Sequence, residues 1–180
     1  MIDIIIYHLK EYINIESVDM KELTEGQRSF LDQIAKNRWN LNPQTGLIDI
    51  RGYFDCSGKG LEDFMGIEFG VVTGSFECGD NLLKSLEGIP QRVGDIFRCD
   101  GNLLTSLIGS PKYVGGDFKC FANEITSLEG APEIIYNRFS CSHNKLKNLK
   151  GCPRIIKEDM FCSDNEFINL EGFPIEIGGD

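Results

Sequence analysis

The sequence predicts an α+β chain: a short helical N-terminal cap over residues 1–40, then a β-solenoid over 41–180 with one parallel sheet. Three observations predict it. From residue 78 onward, Cys, Asn, Leu, Gly and Pro each recur every 21 residues. The first 40 residues have another texture, with apolar side chains at helical spacing. Between them lies "NPQTG", residues 42–46, whose Asn-Pro and Gly are turn chemistry.

In chain order, Ile2, Ile5, Ile6, Leu9 and Ile13 predict a first helix. Thr24 and Gln27 have capping-box spacing, and Phe30, Leu31 and Ile34 form an apolar stripe behind it, predicting a second helix. Both would cover the apolar edge of the first coil. "LIDI", 47–50, reads as a capping strand with Ile48 and Ile50 inward.

The repeat follows. Cys78, Cys99, Cys120, Cys141 and Cys162 mark five units, with Asn81, Asn102, Asn123, Asn144 and Asn165 three residues on. Each unit then carries Leu-x-Gly-x-Pro, as in Leu128, Gly130 and Pro132, and closes on Val93, Val114, Ile135, Ile156 or Ile177. A degenerate copy stands upstream at a spacing of 22: Phe54, Cys56, Leu61, Phe64, Gly66 and Val71, with Lys59 in the Asn slot and Glu68 in the Pro slot. That makes six coils, the first atypical as terminal repeats are.

Phe-x-Cys alternates like a short strand with one buried face. The Asn sits where the chain turns, and its amide can satisfy exposed backbone groups. Stacked in register, these amides are expected to bond to one another as a ladder. Gly before x-Pro bends the chain and keeps the return segment extended. A 21-residue unit cannot bury its own apolar side, so only stacking gives a core.

Composition bounds the function. The chain has 180 residues, 41% of them hydrophobic, and a formal net charge of -10 spread along its length. No run of Lys and Arg suited to a phosphate backbone is present; the nearest is Lys145, Lys147, Lys150, Arg154 and Lys157. Direct nucleic-acid binding is therefore not expected. No stretch approaches the ~18 apolar residues of a membrane span, and "MIDIIIYHLKEY" does not read as a secretory signal. A cytoplasmic protein is expected, and seven cysteines, an odd number, then point to reduced thiols.

A search for catalytic patterns finds little. The two histidines, His8 and His143, lie in no metal-binding pattern, and no nucleophile elbow or phosphate loop is present. Glu62-Asp63 and Glu158-Asp159 are adjacent, so on a strand they would face opposite ways. Cysteines 21 residues apart match no zinc spacing. They read as small apolar filler, and Cys152 as a separate, partly exposed thiol. No enzyme, cofactor or metal site is expected.

The order F-x-C-x-x-N-x-L resembles the leucine-rich repeat family, with Phe and Cys in the two leading Leu slots. Strings of the form C-x-x-N-x-L-x-S-L-E-G-x-P resemble leucine-rich-repeat-like proteins encoded by tailed bacteriophages. The resemblance covers about residues 40–180 and implies a continuous concave face lined by the variable residues of the strand and the turn after it. On that face Tyr53, Glu77, Arg98, Lys119, Phe121, Arg138, His143 and Phe161 are the candidate partner-binding residues. Arg98, Lys119 and Arg138 would form a cationic diagonal beside aromatic Phe121 and Phe161; Asp55, Glu77 and Asp80 make the first half acidic. The expected function is a non-enzymatic protein–protein interaction module, phage-encoded, that binds and inhibits a host or antiviral-defence protein in the host cytoplasm. The alternatives are a structural or adhesive virion component and, last, an enzyme. The chain stops at "IGGD", and the same "GGD" precedes Phe118. The final coil is therefore expected to offer an open edge for a homodimer or another partner.

Overall fold

A computed structural model describes residues 22–179. Within them one helix, α1 (Glu25–Ala35), precedes fourteen short strands. The helix predicted around Ile2–Ile13 lies outside the described residues. The predicted capping box of α1 is complete: Gln27 N–H donates to Thr24 Oγ1 at 3.2 Å, and Thr24 N–H donates to Gln27 Oε1 at 2.9 Å. Leu31 and Ala35 are fully buried, and the Phe30 ring meets Phe54 at 6.0 Å. The helix thus packs on the first coil, where Gln27 Nε2 also donates to the Met65 carbonyl at 2.8 Å.

Strand β1 (Trp39–Leu41) turns back antiparallel onto β2 (Ile48–Ile50). Ile48 and Ile50 point inward, each 1% exposed, as expected. Six coils follow. Each begins on a two-residue strand with the Phe-x-Cys pattern, Met-x-Cys in the last: β3 (Phe54–Asp55), β5 (Phe76–Glu77), β7 (Phe97–Arg98), β9 (Phe118–Lys119), β11 (Phe139–Ser140) and β13 (Met160–Phe161). Each returns on a second strand: β4 (Phe69–Val72), β6 (Arg92–Val93), β8 (Tyr113–Val114), β10 (Ile134–Ile135), β12 (Ile155–Ile156) and β14 (Glu176–Ile177).

The expected single parallel sheet is therefore too few. The Phe strands form one continuous six-stranded parallel wall. The return strands form a second wall in two pieces, β1-β2-β4-β6-β8 and β10-β12-β14, with no ladder joining β8 to β10. Extended backbone after each Pro pairs with its neighbour as readily as the Phe strand does, so both sides become sheet. Between the walls the Phe rings stack: Phe54 to Phe76 at 5.3 Å, Phe76 to Phe97 at 6.3 Å, Phe97 to Phe118 at 5.0 Å and Phe118 to Phe139 at 5.7 Å. Burying one such ring contributes roughly 1.5–3 kcal/mol. The bend is a tight turn in every regular coil. The Ala131 N–H donates to the Leu128 carbonyl at 3.1 Å, and Gly130 between them has φ +101°, a conformation open chiefly to glycine.

Two details depart from expectation. The first coil is closed by Val72, fully buried, and not by Val71, which is 38% exposed. Phe54 pairs with Phe76 at a spacing of 22, but Val72 pairs with Val93 at 21. The extra residue is absorbed in β4, where the register with β2 shifts between Ile48 and Ile50. Asp49 holds that bulge, accepting the Val71 N–H on Oδ1 and the Asn42 amide on Oδ2, each at 2.8 Å.

The second departure concerns the asparagines. Their amides do not bond to one another. Asn123 Nδ2 reaches the carbonyls of Cys120 and Phe121 in its own turn and of Cys99 in the coil before, while its Oδ1 accepts the Leu104 N–H of that earlier coil. Asn81, Asn102, Asn144 and Asn165 repeat the pattern. Each Asn staples its turn to the preceding one. The first coil has no coil before it, which explains why Lys59 can occupy its Asn slot.

Candidate functional site

The Phe wall presents the residues that the repeat leaves free. Strand alternation buries Phe and Cys and turns the residue between them outward. Parallel register then aligns Asp55, Glu77, Arg98, Lys119, Ser140 and Phe161 in one column. Tyr53 and Arg138 flank it where strands begin; Phe121 and His143 flank it in the turns where they end. The candidate residues therefore share one wall.

Their environments differ from what the sequence suggested. Arg98 is not a free cation. It makes two hydrogen bonds to Asp100, Nε to Oδ1 at 2.8 Å and Nη2 to Oδ2 at 2.9 Å, and Nη2 also reaches Asp80 at 2.9 Å. The first of these bonds raises the guanidinium pKa further. Gly79 leaves room for this clamp: a Cβ there would lie 3.0 Å from Arg98 Nε. Lys119 pairs with Asp117 at 3.2 Å. Arg138 lies 3.3 Å from Glu158 and 3.6 Å from Asp159. The cationic diagonal is thus neutralised in place, and the wall's uncompensated charge is negative.

His143 is exposed and faces Asp164 at 3.4 Å. Phe121 is half-buried, whereas Phe161 is 48% exposed and pairs with Ser140. Tyr53 is 59% exposed and carries the Arg38 guanidinium over its ring at 4.2 Å. Four of the five cations of the basic run at 145–157 are also paired: Lys145 with Glu124, Lys150 with Glu171, Arg154 with Glu133 and Lys157 with Glu176.

Sequence reasoning missed the turn geometry. The residue two after each Cys has a left-handed backbone in all six coils: Gly58, Asp80, Gly101, Ala122, His143 and Asp164, with φ between 52° and 64°. Gly, Asp and His in one slot were the available signal. This conformation throws the turn side chains to the edge of the wall, where His143 and Asp164 meet.

Cys56, Cys78, Cys99, Cys120 and Cys141 are fully buried, and all seven cysteines are free. Some thiols donate to the next coil, Cys78 Sγ to the Arg98 carbonyl at 3.2 Å for example. Burial pushes the thiols up, Cys56 and Cys152 to about 12 and Cys78, Cys99, Cys120 and Cys141 well above their ordinary value. That is the opposite of an activated nucleophile. At pH 8 a thiol-specific reagent is expected to modify half-buried Cys162 first, Cys152 slowly and the other five only with unfolding, counted by intact-protein mass.

No group of His, Cys, Asp and Glu that could hold a metal ion exists among the described residues. A cleft of about 270 Å³ lies at the bend of the first two coils, lined by Asp63, Phe64, Ile67, Glu68, Ser85 and Glu87 among others, away from the Phe wall. Among the described residues no helix is long and apolar enough to cross a membrane. In comparisons with known proteins, no family model, curated protein or solved structure matches this chain.

Proposed function

We propose that this chain is a non-enzymatic protein-interaction module whose Phe wall docks on a basic surface of another protein. The observation that carries the reading is the charge left on that wall. Asp55, Glu77, Asp80, Asp100, Asp117, Asp159 and Asp164 stand against Arg98, Lys119 and Arg138, and each of those three cations is already held by a carboxylate. A basic partner gains from the remaining field, while exposed Tyr53 and Phe161 supply apolar anchors. Arg98, Lys119 and Arg138 shape and rigidify the wall in this reading, and Glu77, Tyr53, Phe121, His143 and Phe161 make the contacts.

The resemblance to phage-encoded proteins makes a bacterial host or antiviral-defence protein the first target class to test, bound so as to block its own basic, nucleic-acid-binding face. Immobilised protein is exposed to bacterial lysate at about 50 mM salt and eluted toward about 300 mM, a range over which exposed charges are progressively screened. The expected outcome is a basic protein that elutes within this range and is lost with Phe161→Ala. Retention that is independent of salt, or unchanged by Phe161→Ala, would count against the reading.

A further inference from the structure

The wall opposite the Phe strands has the reverse character. Its outward column runs Val71, Arg92, Tyr113, Ile134, Ile155 and Glu176, by register and by the repeat. Their strand neighbours Val72, Val93, Val114, Ile135 and Ile156 are fully buried, so these side chains project outward. Tyr136, 43% exposed, meets Tyr113 at 5.4 Å with the rings tilted by 48°, across the break between β8 and β10. Arg92 caps this pair, its guanidinium 3.8 Å from the Tyr113 ring centroid. Beside it Ile134, Ile155 and Ile175 line a shallow cleft of about 200 Å³. Tyr113, Ile134 and Ile155 are half-buried while Tyr136 and Ile175 are exposed, so Arg, Tyr and Ile form a partly exposed apolar patch.

The charge is also reversed. Arg92, Lys112, Arg154 and Lys157 stand against Asp49, Glu133 and Glu176, a small positive excess in a chain whose net charge is -10. Arg154 and Lys157 are paired with the two glutamates, but among the described residues Arg92 and Lys112 have no carboxylate partner. One wall of the solenoid is acidic and the other is apolar, with Arg92 and Lys112 outside any ion pair among the described residues.

We propose that the return wall of one copy docks on the Phe wall of a second copy. Charge complementarity argues for this occupant: the second copy's Asp55 and Glu77, on adjacent strands, match Arg92 and Lys112, which also belong to adjacent coils, and Tyr53 beside Asp55 then comes against the same cations. The contact uses two different surfaces, so it does not close on itself. Each added copy exposes a fresh wall, and association proceeds as an open series. It does not depend on the external partner proposed above, although it would occlude the same Phe wall.

Sedimentation velocity from about 1 to 200 μM at low salt tests it, against the same series at a salt concentration that screens exposed charges. The weight-average mass is expected to rise with concentration without a plateau, and to fall at high salt. Combining Tyr136→Asp with Ile155→Asp should weaken association at least ~10-fold, as should Asp55→Lys with Glu77→Lys, far-UV circular dichroism confirming that both variants fold. Mixed together, the two variants each retain one intact wall and should form a 1:1 pair that grows no further. A monomer at every concentration would overturn the proposal. So would a closed dimer with a plateau, or association indifferent to both variants, which would place the contact at an end of the solenoid. Loss of lysate capture with normal self-association would overturn only the external-partner reading.

Discussion

Asn123→Ala is expected to destabilise the protein by about 3–5 kcal/mol, and Asn123→Asp by more. Asn123 is 8% exposed. Removing its Oδ1 orphans the Leu104 N–H, which it accepts at 3.0 Å, a loss of roughly 1–3 kcal/mol for a buried donor. The three carbonyls it serves are not orphaned. Cys99 O keeps Asn102, Cys120 O keeps Asn144 and Phe121 O keeps the Gly101 N–H. Each lost bond there is worth about 0.5–1.5 kcal/mol net, so the sum spans roughly 2.5–7.5 kcal/mol, and the expected loss lies in its lower half because each carbonyl keeps another donor. Aspartate has the same shape but puts a carboxylate oxygen against all three carbonyls, so its penalty adds repulsion to the loss. Urea denaturation of the two variants measures this. Asn123→Ala within about 1 kcal/mol of the parent, or aspartate milder than alanine, would show that the slot is filled for packing alone. Lys59→Asn is the contrasting case: with no preceding coil to staple, it should change stability by no more than about 0.5 kcal/mol.

The second large effect is alkaline. Stability is expected to hold up to pH 8 and to fall by about 7 kcal/mol by pH 10. Desolvation raises the buried thiols above 9.0, Cys56 to about 12 and Cys78, Cys99, Cys120 and Cys141 well above it. The folded state therefore keeps protons that the unfolded chain gives up. A raised folded pKa stabilises fully below the unfolded value and loses that contribution as pH climbs toward the folded one. One unit above 9.0, each raised thiol contributes a loss of about 1.4 kcal/mol, the five fully buried ones together about 7, with half-buried Cys152 adding at most one more such share. Urea midpoints at pH 8 and pH 10 check the total. In Cys99→Val, which keeps an apolar filler in the slot, the drop should shrink by about 1.4 kcal/mol. A flat profile through pH 10 would mean that the thiols are hydrated in the folded state.

Much of the fold was legible because stacking forces it. A buried slot must be refilled in every coil, so Phe97, Cys99, Leu104, Leu107, Pro111 and Val114 announce themselves by repetition. What depends on one local insertion does not repeat. The Val71-to-Val72 slip follows from a single extra residue and a bulge held by Asp49, and periodicity alone cannot say on which side of the insertion the register recovers. The asparagine and its bonds to exposed backbone groups were legible; the amide-to-amide ladder was not what forms. Carbonyls of two successive turns surround each amide and outnumber what a neighbouring amide could offer.

The candidate wall was legible for a related reason. Lys119 and Phe121 vary where Cys120 does not, so packing does not dictate them. Pairing was not legible, because ion pairs such as Arg98 with Asp80 link different coils and depend on register as built. The return wall was overlooked because its outward column, Arg92, Tyr113, Ile134 and Ile155, has no repeated residue until its last two members. Its apolar character shows only once the second sheet aligns it.

The most direct test is a binding titration of whatever basic protein the immobilised chain captures, comparing the parent with Asp55→Lys/Glu77→Lys. Both positions are on the Phe wall and outside the core, and circular dichroism confirms that the variant folds. If that wall is the docking surface, the double charge reversal lowers affinity at least ~10-fold at low salt, and the difference shrinks as salt screens it. Equal affinity for the parent and the folded variant would contradict it.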